Sequence, residues 1–279
     1  MSAELYTHTL ETDQEMKDYV DPTDGLLYCG RCHTPKEKRF AGSWCPSGLD
    51  RHPIPCRCVR EEQERQDRVY SELHRRDRVQ RLRENAFRDI PAERWRFDCV
   101  EETPQLELAR RFVRKWGAFR KEGLGLLFFG DVGTGKSCAA GCIANALTEE
   151  LHAVLFVGVS DVVNRMQNLC GEDRERYMNK TLLKPDLLIL DDLGAERNTG
   201  FGREQVFDVV NKRTLSRKPL IVTTNIPLHI MQGTTDLTER RIYDRILSVC
   251  APVRFDGDNF RKAGAAESRR RAAELLGRT

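Results

Sequence analysis

The chain has 279 residues, 39% hydrophobic and 32% charged, with 46 basic against 43 acidic side chains. That is enough for one sizeable core and a small extra module, and no segment reaches the roughly 18 consecutive apolar residues of a membrane helix. Its first residues show no basic stretch followed by an apolar run, so the ten cysteines predict a cytoplasmic chain with reduced thiols and a metal site, not a disulfide scaffold.

Residues 1–25 form an acidic segment, with seven acids against Lys17, and Asp21-Pro22 and Asp24-Gly25 mark turns. Residues 26–60 are a compact module rich in cysteine, glycine, proline and arginine. Its pairs Cys29-x-x-Cys32 and Cys56-x-Cys58 have the spacing of a tetrahedral thiolate zinc site, and a segment with so few apolar residues needs one to fold. Cys45, His33 and His52 are possible substitute ligands, and unliganded structural cysteines are the alternative. Residues 61–94 read as a charged helical connector, Glu- and Arg-rich without proline or glycine, and broken by Pro91. A second helix follows from Pro104, with Leu106, Ala109, Phe112, Val113 and Trp116 at helical spacing.

From Gly123 the pattern becomes α/β. Buried strands are predicted at Leu124–Phe129, Val154–Val159, Leu187–Leu190, Leu220–Thr224 and Val249–Phe255, with helices over Ser137–Leu151, Asp161–Leu169 and Glu204–Ser216. Alternation of this kind implies a parallel sheet covered on both faces. Residues 95–262 form this domain, and residues 263–279, with Arg269-Arg270-Arg271, are expected to be a basic tail.

The run Gly130-Asp131-Val132-Gly133-Thr134-Gly135-Lys136-Ser137 follows a strand and opens a helix. Its glycines let successive backbone N–H groups face one phosphate, and the new helix adds its positive end. Lys136 then neutralises the terminal phosphates and the Ser137 hydroxyl ligates Mg²⁺, which makes this a nucleoside triphosphate site. Leu187-Leu188-Ile189-Leu190-Asp191-Asp192 reads as the partner strand, with Asp191 in the metal shell and Asp192 polarising the attacking water. Asn225 ends the next strand and is placed to orient that water, or simply favours the turn before Pro227. Arg241 and Arg245 share a helical face. An arginine there suits a neighbouring subunit's γ-phosphate, and surface pairing with Glu239 or Asp244 suits it equally.

With Phe129–Ser137, Leu188–Gly194, Ile221–Asn225, Glu239–Arg245 and Val253-Arg254-Phe255 in this order, the chain resembles the DnaC/IstB group of AAA+ ATPases, particularly the DnaC-like helicase loaders of phages and Gram-positive bacteria. Ile90-Pro91-Ala92-Glu93-Arg94 resembles that group's entry to the ATPase domain. The resemblance implies a five-stranded AAA+ fold with little or no helical lid. It implies Lys136 and Ser137 as Walker A, Asp191 and Asp192 as Walker B, Asn225 as sensor 1, Arg245 as arginine finger and Arg261 as a sensor-2-like residue. Asp192 stands where most AAA+ enzymes carry glutamate, which implies slow turnover. The implied function is that of an ATP-dependent helicase loader, which self-associates through its ATP site and binds single-stranded DNA and a replicative helicase. The alternatives are an IstB-like ATPase assisting a transposase and a DNA-binding switch with little hydrolysis.

Overall fold

The computed structural model describes residues 17–39, 51–88, 90, 95–195, 199–257 and 259–277. The chain divides into two compact units, Met1–Arg76 and Asp77–Thr279. Among the described residues, no helix is long and apolar enough to cross a membrane.

The first unit contains two short antiparallel ribbons. In one, β1 (Tyr19–Val20) pairs with β2 (Leu27–Tyr28); in the other, β3 (Glu37–Arg39) pairs with β4 (Arg51–Pro53). Strands this short, carrying mostly polar side chains, have no hydrocarbon core to share. Among the described residues up to Arg76, only Cys29, Gly30 and Cys56 are buried. The interior is sulfur.

Helix α1 (Arg57–Phe87) runs across the boundary between the units, and only Ala86 and Phe87 are buried. Its surface is laced by close pairs such as Glu62–Arg65 and Glu72–Arg76, as a helix polar all round requires. Two details differ from the sequence reading. The helix starts directly after Cys56, and it ends in a left-handed Arg88 (φ 46°), ahead of Pro91. Residues 91–94 lie outside the described residues.

The second unit is a parallel sheet of β5 (Gly125–Gly130), β6 (Val154–Gly158), β7 (Leu187–Leu193), β8 (Leu220–Thr224) and β9 (Cys250–Phe255). Their order across the sheet is β6-β7-β8-β5-β9. Because side chains alternate along a strand, Phe128 and Leu127 serve opposite faces. Phe128, Phe156 and Ile189 pack under α2 (Pro104–Arg114) and α4 (Lys136–Glu149). Leu127, Leu188 and Val222 pack under α5 (Val159–Asn168), α7 (Gly200–Leu215) and α9 (Leu237–Val249). Short α3 (Trp116–Glu122), α6 (Gly171–Arg176), a π-helical turn (Tyr177–Leu182) and α8 (Leu228–Gly233) complete the connections.

The expected basic tail is instead a helix, α10 (Phe260–Leu275), started by the Asn259 side chain, which accepts from the N–H groups of Arg261 and Lys262. Composition showed the charge there; the cap makes it helical.

The order across the sheet places the functional elements. After β5 the chain crosses to the β6 edge, and the two vacant places are filled by β7 and β8. The C-terminal ends of β7 and β8 therefore lie beside the turn that leaves β5. Such switch points are where open α/β sheets bind ligands.

Candidate nucleotide site and cysteine centre

At the end of β5 the backbone curls through Gly130 (φ 132°), Gly133 (φ 86°) and Gly135 (φ 94°) before α4 begins at Lys136. A Cβ on Gly130 would stand 2.0 Å from the carbonyl oxygen of Phe255, so the close passage of β9 admits only glycine. Lys136 Nζ donates to the carbonyls of Gly130 (2.8 Å) and Asp131 (2.6 Å), and the Thr134 hydroxyl donates to Asp131 O (2.8 Å). Burial lowers the Lys136 pKa, and nearby Asp192, Asp131 and Asp191 oppose that shift.

Opposite the loop, β7 carries one extra residue. Leu190 pairs with Val222 and Leu193 with Thr224, so Asp191 and Asp192 together face a single residue, Thr223. This is a β-bulge, and it re-aims both carboxylates. The buried Thr223 hydroxyl connects them, donating to Asp191 Oδ1 (2.6 Å) and accepting from the Asp192 N–H (2.9 Å). Asp192 is held at φ 60°, a region that costs energy for any residue but glycine. Its Oδ1 accepts from Asn225 Nδ2 (3.0 Å). Burial raises the Asp191 pKa, partly offset by hydrogen bonds from the Thr223 and Ser137 hydroxyls.

Between these elements lies a cleft of about 300 Å³, whose walls include Val132, Gly133, Gly135, Lys136, Ser137, Asp191, Asp192, Asn225 and Arg261. Trp95, Cys138, Thr223 and Phe260 complete the lining. These last four were not singled out as site residues from the sequence. Thr223 is followed by Thr224 in the same buried strand, and nothing in the sequence alone set one apart from the other. Trp95 and Phe260 lie far apart in the chain and meet only in the fold. Gly130 and Asp131 border the cleft through their bonds to Lys136.

Arg241 and Arg245 do not line this cleft. Arg241 lies over the Phe207 ring, 4.4 Å from its centroid, and Arg240 pairs loosely with Asp244 at 4.0 Å. Arg245 is exposed on α9, and its guanidinium has no partner among the described residues. Arg241 and Arg245 instead line a surface depression with Phe207, Asp244 and Ser248.

In the first unit the sulfurs of Cys29, Cys32, Cys56 and Cys58 all lie within 4.8 Å of one another. Cys29 and Cys58 approach to 3.6 Å, and Cys56 and Cys58 to 3.3 Å. Tetrahedral zinc with sulfurs at about 2.3 Å places ligands about 3.8 Å apart, so the cluster fits that ion. The turn after Cys29 is closed by Cys29 N–H to Thr34 O and His33 N–H to Cys29 O. The Thr34 side chain, above all, pulls Cys32 down to about 5, while the neighbouring Cys56 sulfur pushes Cys58 up to about 12. Four sulfurs this close cannot all carry charge unaided; a divalent cation would supply the compensation. Cys45 lies outside the described residues, and neither His33 nor His52 is in the cluster.

A glycine-rich loop opening a helix at the switch point of a parallel sheet, with paired aspartates on a nearby strand, defines a P-loop nucleotide-binding protein of the AAA+ type. The crystal structure of the DnaC helicase loader has the same fold, with a TM-score of 0.53 and 24% identity over 59% of this chain and 98% of that one. The chain belongs to the family described as IstB-like ATP binding protein, which matches residues 61–268.

Two curated relatives are replicative helicase loaders. DnaI of Bacillus subtilis is 30% identical over 151 residues, which is 50% of this chain and 48% of that protein. DnaC of Escherichia coli is 28% identical over 173 residues, 61% of this chain and 68% of the relative. An insertion-sequence ATP-binding protein of Mycobacterium tuberculosis is 24% identical over 59% of this chain and 67% of its own length. The match thus spans about half of the Bacillus protein and about two thirds of the other two.

Proposed function

We propose that this chain is an ATPase that loads a replicative DNA helicase onto single-stranded DNA. The observation that carries the ATPase half is the bulge, where one hydroxyl bonds the Asp191 carboxylate and the Asp192 backbone N–H, in the cleft that Lys136 also lines. The loader half is supported by the named functions of two relatives. An IstB-like role assisting a transposase is the second reading, favoured by the family description and the Mycobacterium relative.

In this reading the backbone from Gly130 to Gly135 cradles the phosphates, and Lys136 exchanges its two loop carbonyls for phosphate oxygens. Ser137 and Asp191 would hold Mg²⁺, which suits their oxygen donor set; the ion neutralises phosphate charge. Asp192, with Asn225 bonded to its carboxylate, polarises and orients the attacking water. Aspartate is shorter than glutamate, and turnover is slow. Arg261 reaches the phosphates from its own subunit, and Arg245, with Arg241 beside it, serves the site of the next. Cys29, Cys32, Cys56 and Cys58 hold one Zn²⁺ that folds the first unit, with which the chain grips its helicase.

The test pairs steady-state ATP hydrolysis, with and without single-stranded DNA, with co-purification against the replicative helicase and a transposase of the same cell. Stimulated hydrolysis and capture of the helicase are expected; capture of the transposase alone would overturn the loader reading. For the metal, about one zinc per chain is expected by elemental analysis. Chelation should expose amides between residues 17 and 58 to hydrogen exchange while ATP binding persists.

A further inference from the structure

The phosphate loop is fastened to a second element. The side chain of Asn259 faces two ways: its Nδ2 donates to Val132 O (2.9 Å), and its Oδ1 accepts from the N–H groups of Arg261 (3.0 Å) and Lys262 (3.2 Å). The next residue adds a backbone bond, Phe260 N–H to Gly133 O (3.0 Å). The fit is close enough that a Cβ on Gly133 would stand 2.1 Å from Asn259 Oδ1, while one on Gly135 would meet the Phe260 ring at an ordinary 3.8 Å. One amide thus caps α10 and grips the loop at the same time. Arg261, two positions along, lines the nucleotide cleft.

We propose that Asn259 is a positioning residue that latches α10 to the phosphate loop, so that loop conformation and the placement of Arg261 change together. The proposal rests on the nucleotide-site reading. The carbonyls of Val132 and Gly133 belong to the same peptide units whose N–H groups turn toward phosphate. Any rotation of those units on nucleotide binding therefore moves the anchor points of α10. Conversely, a docked α10 holds the loop in one arrangement before nucleotide arrives. By linkage, the latch strengthens nucleotide binding by as much as nucleotide strengthens the docking of α10.

Two variants separate latching from capping. In Asn259→Ser the hydroxyl still caps the helix but cannot span to Val132; in Asn259→Asp the cap and length remain, but a carboxylate oxygen replaces the donor. Full-length wild type and both variants are compared by hydrogen exchange, with and without a non-hydrolysable ATP analogue and Mg²⁺. In wild type, nucleotide should slow exchange both in residues 130–137 and in residues 260–275. In both variants the loop should still respond at saturation, α10 should no longer respond, and analogue affinity should fall about five- to tenfold, the scale of one lost hydrogen bond. If Asn259 only stabilises the helix, both capping variants will behave as wild type, which overturns the proposal. A wild-type α10 that ignores nucleotide while the loop responds overturns it as well. If the wild-type loop itself fails to respond, the nucleotide reading falls and takes the latch with it.

Discussion

The two ends of the central sheet are built from the same kinds of side chain and do opposite things with them. At the N-terminal end, the fully buried Arg213 donates to the carbonyls of Leu183, Pro185, Asp186 and Pro219, tying together the segments that lead into β7 and β8. Lys218 donates to Leu183 O and Lys184 O, and Asp186 pairs with Arg120 at 2.7 Å while accepting from the Ala153 N–H. Burial holds the Arg213 pKa down to about 9, yet the guanidinium directs its charge to four fixed carbonyls, of which Leu183 O is shared with Lys218 and Pro219 O with the Leu188 N–H. At the C-terminal end, Lys136 also rests on backbone carbonyls, but on a loop that, in the proposed function, releases it to phosphate. Asp192 stands on a bulge in a costly conformation, and Arg261 faces an open cleft. The difference teaches that charge inside a fold is structural where its partners are fixed and functional where they can be exchanged.

The strongest break in the comparison should come from variants directed at the nucleotide chemistry and should spare the fold. Arg245→Ala is expected to leave ATP affinity nearly unchanged and to lower hydrolysis on the order of 10³-fold, read by steady-state phosphate release. Lys136→Ala should lose ATP binding altogether. Mixing the two should restore part of the activity, because one supplies an intact pocket and the other an intact arginine. No recovery in demonstrably mixed assemblies would return Arg245 to a role within its own subunit.

The N-terminal end should show the reverse. Arg213→Met removes a donor from four carbonyl oxygens, two of which keep another, and should lower unfolding free energy on the order of 3 kcal/mol, measured by denaturant titration. The folded fraction should bind ATP as wild type does. Equal stability of the variant would mean that water replaces the guanidinium and that the two ends differ less than their contacts suggest.

Thr223→Val sharpens the boundary between the two behaviours, since the hydroxyl is buried like Arg213 but bonded to the site. A loss of about 1–2 kcal/mol in stability is expected from the two missing hydrogen bonds, with a larger fractional loss in hydrolysis than in ATP affinity. Unchanged turnover would make the bridge purely structural.

The strands, the loop and the cysteine spacing were legible because each rests on a local pattern. Largely apolar runs of four to seven residues gave all five strands to within a residue or so at most ends, and the glycine spacing gave the loop. The structure brings Lys136, Ser137, Asp191, Asp192, Asn225 and Arg261 to one cleft, and Cys29, Cys32, Cys56 and Cys58 to one cluster. What stayed hidden depends on contacts between distant residues. Arg213 reads in sequence as one more charge on a helix, and only the fold surrounds it with carbonyls. Asn259 reads as a turn residue, and its second partner lies 127 positions away. Residues 171–182 carry mixed polarity without period, so the short helix and π-turn there had no sequence signature.

The bulge also makes the length of β7 part of its chemistry. Leu190 and Leu193 sit in the same apolar layer, although three steps along a regular strand would carry them to opposite faces. The surplus residue between them absorbs the mismatch. Straightening the strand with both aspartates kept would swing Leu193 out of its layer, whereas deleting one aspartate would restore regular alternation with Leu193 still in place. A shortened strand would keep its packing and lose one of its two acids. At this position the spelling of the motif and its letter count are separate requirements.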